Sequence, residues 1–181
     1  MTEPLRLPPS SELVAAMESV VRGERYTGGP GWGRLVGELV ASNLRQWDLE
    51  DTSRDPAAGD ATVAAAKREI DRLNLGRHRM VEEIDAAIGS VLVQPAAAPI
   101  ATESPGMALD RLSVLVIRRA RTAAALSRGS GEPARAAALE AQLAALCLAF
   151  DTYMEELRAG TRRFVAYEHL KFYGPLVPTA G

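Results

Sequence analysis

The chain has one cysteine and two histidines among 181 residues. Cys147 alone cannot close an internal disulfide, and its setting, Leu146-Cys147-Leu148, reads as a small buried hydrophobe rather than a nucleophile. A di-metal carboxylate bundle needs Glu-x-x-His on two helices. Neither His78 nor His169 has a glutamate three residues before it, and His78-x-x-x-Glu82 offers at most two ligands. No metal and no other cofactor is therefore expected. Positive charge is not in excess either: 21 Lys and Arg stand against 23 Asp and Glu, for a net charge of -2. That leaves nothing to drive phosphate-backbone neutralisation, so a nucleic-acid partner is not expected. The longest apolar run, residues 143–150, is far short of the ~20 needed to span a bilayer. Met1-Thr2-Glu3-Pro4 opens no basic-then-apolar signal pattern. A soluble, cytoplasmic protein without membrane partners is the expectation. Gly28-Gly29-Pro30-Gly31-Trp32-Gly33 is rich in glycine, but it follows a helical stretch and lacks a Gly-Lys-Ser/Thr ending, so it reads as a flexible turn rather than a phosphate loop. There is no Gly-x-Ser-x-Gly elbow.

Helix formers are plentiful, and no period-two pattern of useful length interrupts them. Ser10 or Ser11 is placed to cap a first helix ending near Arg22. A second runs over 32–54 and stops at Asp55-Pro56, because the residue before proline resists the helical region. Asp60 is the expected cap of a third helix reaching about Val91, roughly 45 Å at 1.5 Å per residue. Pro95 and Pro99 mark a loop, then Ser104-Pro105 supplies a cap with proline at the first helical position. Gly129 and Gly131 break the chain again, and Pro133 restarts it. The last helix carries Leu139, Leu143, Leu146, Phe150, Tyr153 and Leu157 at helical spacing. Gly160 is expected to bend or split it before Phe164, Tyr167 and Lys171, which share a face at i, i+3 and i+7. The expected architecture is all-α: a bundle of four long helices plus a short N-terminal helix, in a single domain over 10–173 with flexible tails at 1–9 and 174–181. Long Ala-rich helices pack closely against copies of themselves, so residues 134–145 suggest a homodimer.

Charges sit where these helices should present only apolar side chains. In the second helix the stripe of Val36, Leu39, Val40 and Trp47 also holds Asn43, Glu50 and Arg54. In the third, Arg77 falls between Leu73 and Ile84 on a wheel turning ~100° per residue, and Lys67, Asn74, His78 and Asp85 line one edge of the sector. In the fourth, Asp110 and Arg111 lie one turn from the start. Buried charge is costly unless paired. A guanidinium stays charged, so Arg77 needs a carboxylate, with Glu50, Asp51 and Asp110 as candidates. A register-fixing salt-bridge network is one reading. The other is a pocket for a small polar or anionic metabolite. There Asn43, Trp47, Arg54, Asn74, Arg77, Arg111 and Lys171 bind, and Glu50, His78 or Asp110 moves a proton. Arg118, Arg119 and Arg121 read as a solvated or interface face.

Taken together, Asn43-x-x-x-Trp47-x-x-Glu50-Asp51-x-x-Arg54, Lys67-x-x-Ile70-Asp71-x-x-Asn74-x-x-Arg77, Glu103-Ser104-Pro105-Gly106-Met107, Asp110-Arg111-Leu112-Ser113 and Tyr167-x-x-x-Lys171-x-Tyr173 resemble the bacterial domain-of-unknown-function family 4254. The resemblance implies a helical protein of no established activity. Some members lie beside glycosyltransferase genes, which leans towards carbohydrate or specialised-metabolite biosynthesis. The chain departs from the family pattern at Asn74-Leu75-Gly76-Arg77-His78-Arg79, where Asn-Gln-Gln-Arg-Asn-Asp is the family form. It departs again at His169, where the family has glutamine, and at Gly174-Pro175, where it has Asn-Asp. The function expected is a cofactor-independent enzyme, of lyase, isomerase or cyclase type, performing proton transfer, elimination, cyclisation or rearrangement. A non-catalytic accessory or scaffold protein for a biosynthetic enzyme is the alternative.

Overall fold

The computed structural model describes residues 7–24 and 32–168. Its elements are α1 (Ser10–Val21), α2 (Trp32–Arg54), α3 (Asp60–Gly89), α4 (Pro105–Ser127) and α5 (Pro133–Ala159). These are the four long helices and the short first one read from the sequence. α4 is the hub: it packs against α1, α2, α3 and α5. α2 runs along α3, whereas α5 lies on α4 and α1. The core gathers on the faces that meet, with Leu13 and Met17 from α1, Val36, Leu39 and Val40 from α2, Ile84 and Ile88 from α3, and Leu109, Leu112 and Val116 from α4. α5 adds Leu143, Phe150, Met154 and Leu157. A smaller cluster of Leu49, Ala66 and Ile70 with Leu73 closes the far end of the α2–α3 pair.

Several helix ends differ from the sequence reading. Pro9 takes the cap position of α1, so Ser10 is already helical; its N–H and Oγ both donate to Asp151, at 2.8 and 2.6 Å, tying α1 to α5. Gly59 precedes α3 and Asp60 is its first residue, where a carboxylate still favours the positive helix end. Ser104 caps α4 as expected, accepting from the Met107 N–H at 3.3 Å with Pro105 next in line. Gly160 stops α5 rather than bending it: its φ of 68° is the left-handed conformation that ends helices.

Beyond Gly160 there is no helix among the described residues, so Phe164 and Tyr167 do not share a helical face. The segment runs back over the bundle instead. Arg163 N–H donates to the Pro99 carbonyl at 3.0 Å and its carbonyl accepts from Ala101 N–H at 2.8 Å. Phe164 is buried, its N–H donating to Gln94 Oε1 at 2.7 Å. Lys171, like His169, lies outside the described residues.

Asp85 on α3 is where this returning segment and the start of α4 are fastened. It is 1% exposed. Oδ1 accepts from Gly106 N–H at 2.7 Å and Oδ2 from Tyr167 N–H at 3.0 Å. Burial pushes its carboxyl above the ordinary value, and hydrogen bonds from the Ser104 hydroxyl and these two amides pull the other way. Gly106 is required by the close approach: a Cβ there would stand 2.6 Å from the Val81 carbonyl oxygen.

α5 has two unlike faces. Leu139, Leu143, Phe150, Met154 and Leu157 are buried. On the other side Ala134, Ala138, Ala141, Ala145, Leu148 and Thr152 are exposed, at alternating intervals of four and three residues. By length and composition α5 is the one described helix apolar enough to cross a membrane, with 17% of that stretch buried. An Ala-rich bundle helix has the same property.

Candidate functional site: an arginine-lined cleft over the central helix

Because α5 lies on α4 and α1 while α2 and α3 pack on the other flank, a gap remains above α4. It forms a cleft of about 640 Å³. Asn43, Trp47, Glu50, Asp51 and Arg54 reach it from α2, Arg77 from α3, Arg118 from α4, and Arg135 and Gln142 from α5. The residues on α2 recur at intervals of three and four, so one helix face delivers them all.

At the closed end a polar chain is fully satisfied. Asn43, 6% exposed, donates through Nδ2 to Asp110 Oδ1 at 2.8 Å and to Ser113 Oγ at 2.7 Å. Ser113 Oγ donates in turn to the Asp110 carbonyl at 2.7 Å. Asp110 Oδ2 faces Arg77 Nη1 at 3.7 Å, which answers the sequence question of which acid Arg77 meets. The contact is long, and the Arg77 side chain keeps 28% of its surface. Asp110 and Asn43 therefore steer this guanidinium into the cleft without consuming all its donors.

Glu50 and Arg54 form a second pair, Oε2 to Nη2 at 3.0 Å. They are not interior: the Arg54 side chain is 73% exposed and the Glu50 side chain 34%. The four charges expected to meet inside the bundle thus occur as two pairs along the wall of an open cleft. The physical reason is length: α2 extends past the main core, so its last turns face solvent across the gap.

The remaining expected site residues lie elsewhere. Arg111 is exposed and paired with Glu103 at 2.8 Å. It borders a separate cavity of about 340 Å³, together with Phe150, Tyr153 and Arg162. The Tyr153 hydroxyl there donates to the Glu103 carbonyl at 2.8 Å, and burial pushes its ionisation far up. His78 stacks on Tyr167 with ring centroids 5.6 Å apart, and its Nδ1 lies 3.2 Å from the Tyr167 hydroxyl. One residue from Arg77, it is turned ~100° around α3. It helps to hold the returning segment rather than bordering the cleft. Asn74, one turn before His78, is half-buried and also outside the lining.

Two lining residues were read from the sequence as solvated or passed over. Arg119, half-buried, pairs with Glu18 of α1 and Glu140 of α5, and the more exposed Arg121 pairs with Asp48. Arg118 and Arg135 differ: among the described residues neither side chain has an ion-pair or hydrogen-bond partner. A signal for Arg118 existed, since it falls two turns after Asp110 and one turn after Val114, which also lines the cleft. Arg135 had none, because only the fold brings the start of α5 to this cleft. Among the described residues there is no cluster of three or more His, Cys, Asp or Glu that would hold a metal ion. Cys147 is half-buried on α5, and burial pushes its thiol up, which disfavours the thiolate.

The molecule is thus an all-α bundle with a charged interhelical cleft. Residues 33–166 match the family described as a protein of unknown function (DUF4254), and the chain belongs to that family. The match takes in the α2, α3 and α4 motifs and ends just before Tyr167. No curated protein and no solved structure matches the chain.

Proposed function

We propose that the protein is a cytoplasmic biosynthetic enzyme. It binds a small anionic or polar metabolite in the cleft over α4 and performs proton transfer, elimination, cyclisation or rearrangement with side chains alone. One observation carries this reading. Arg118 and Arg135, from different helices, face one cavity of about 640 Å³ and have no counter-ion among the described residues. A guanidinium is always charged and presents donors in a fork that fits an anion. Trp47 supplies an apolar wall beside them. Among the described residues the Glu50 side chain is bonded only to the exposed Arg54, so it is free to turn to a substrate and act as acid or base. Asp110, held by Asn43 and Arg77, is a positioning residue in this scheme.

A thermal-shift screen of anionic metabolites followed by turnover assays tests the proposal. A ligand at a hundred times its Kd stabilises by about 2.7 kcal/mol. Glu50→Gln is expected to keep that stabilisation and to lose turnover by about a hundredfold or more. Turnover at the wild-type rate in Glu50→Gln would end the assignment of Glu50.

The exposed apolar seam on α5 bears on assembly rather than on the choice between an enzyme and an accessory protein. Ala134, Ala138, Ala141, Ala145, Leu148 and Thr152 follow the spacing of a helix–helix seam, and Leu148 is 71% exposed. A second copy of the chain is the occupant we propose for it, which makes the homodimer compatible with either function. Light scattering is the check: Leu148→Glu is expected to give a monomer whose melting temperature no longer depends on protein concentration, and an unchanged mass would remove the seam from the argument.

A further inference from the structure

Beside the cleft lies a second chamber, of about 290 Å³. The two chambers share Trp47, Arg118 and Arg135. The two guanidiniums, without an ion-pair partner among the described residues, therefore stand at the waist of one elongated site. The smaller chamber is closed by Thr122 and by Ser130, Gly131 and Glu132, which lead directly into the first turn of α5. That places the positive end of the α5 dipole, with the Glu132 carboxylate at its cap position, beside the smaller chamber. The larger chamber offers a different chemistry: Glu50, Asp51, Gln46 and Gln142 present carboxylate and amide oxygens, which accept hydrogen bonds from hydroxyl groups.

We propose that the ligand is a phosphate monoester with a hydroxylated body, its phosphate held between Arg118 and Arg135 and its body lying in the larger chamber. The proposal rests on the reading of the cleft as a ligand site. A carboxylate is satisfied by one forked guanidinium. Two guanidiniums lining one waist beside the start of α5 match the greater charge and the tetrahedrally arranged oxygens of a phosphate dianion. The body is assigned to the larger chamber because the acceptors are there and the smaller chamber has less than half its volume.

Calorimetric titration of the full chain at pH 8 with inorganic phosphate, malonate and glycerol 3-phosphate tests this. Phosphate is expected to bind at least tenfold more tightly than malonate, and the Arg118→Ala/Arg135→Ala variant to weaken phosphate binding at least tenfold. Glycerol 3-phosphate is expected to exceed phosphate by several-fold, and Gln142→Ala to reduce that margin while leaving phosphate affinity in place. Equal binding of phosphate and malonate overturns the phosphate assignment but leaves an anion site standing. Binding of neither anion overturns the cleft reading itself. Phosphate binding undiminished in the double variant overturns the location, and glycerol 3-phosphate no tighter than phosphate overturns the hydroxylated body.

Discussion

Asp85 and Asp110 are aspartates on long helices that meet at the same hub, and their surroundings are opposite. Asp85 is 1% exposed and its carboxylate is closed on every side by donors from Ser104, Gly106 and Tyr167. No cavity adjoins it among those that border the site. Asp110 keeps 21% of its side-chain surface and faces, at 3.7 Å, a guanidinium that lines the cleft. A polar group that is buried and wholly satisfied fixes structure. One that is half open, and that holds another charge toward space, positions chemistry. The two regions divide along that line: a knot at Asp85 that joins three segments, and a cleft whose arginines outnumber their partners among the described residues.

If this division is right, stability should respond most to changes at the knot. Asp85→Ala leaves the donors of Gly106, Ser104 and Tyr167 buried without an acceptor, and is expected to cost about 3 kcal/mol in urea melts. A loss no larger than that of an exposed substitution would erase the distinction from Asp110. The knot also has a pH signature. Asp85 has a folded value above its unfolded one, so the unfolded chain ionises first as pH rises. Stability from this group is present below the unfolded value, about 4, and declines as pH climbs through the raised folded value. Asp85→Asn removes that decline. The stability gap between wild type and Asp85→Asn is therefore expected to narrow from pH 3 upward through that window, and a widening gap means that the three donors outweigh burial.

Gly106→Ala comes next. The added methyl meets a backbone oxygen at 2.6 Å, which cannot swing aside as a side chain would, so α3 and α4 must part. The expected cost is about 2 kcal/mol, read as a lowered melting temperature.

The knot and the cleft were not equally legible in the sequence. Helix number, the Ser104-Pro105 start and the break at Pro133 follow from local rules, and they hold because capping and proline geometry are decided within a few residues. Asn43, Trp47, Glu50 and Arg77 stood out because each carries polarity on an apolar stripe, and all of them border the cleft. Asp85 also stood on that edge, but its donors include two backbone amides, which no side-chain pattern reveals. His78 and Arg111 were misplaced for one reason. A helical wheel gives direction around an axis and not which neighbour lies there, and the returning segment after Gly160 supplies Tyr167 as the neighbour of His78. That segment was read as helix because Phe164 and Tyr167 fall three apart, a spacing that an extended strap along α3 permits equally.

Asn43→Ala lies between the two regions, since Asn43 is buried yet serves the cleft. It deprives Asp110 and Ser113 of a donor and should cost about 1 kcal/mol. It also frees Asp110 to rotate, so Arg77 is no longer steered. Ligand affinity is expected to fall along with stability, and an affinity unchanged in this variant would mean that Arg77 needs no positioning.

The smallest effect on stability, within about 0.5 kcal/mol, is expected from Arg118→Ala/Arg135→Ala. Both side chains are exposed, and among the described residues neither makes a bond that folding would lose. Their removal also relieves the repulsion of two like charges lining the same waist. The same variant should show the largest loss of anion binding, so stability and affinity move in opposite order across the molecule. Melting curves of the ligand-free double variant make the check. A substantial destabilisation without ligand would mean that these arginines hold helices together, and the contrast between a structural knot and a functional cleft would have to be redrawn with both regions on the structural side.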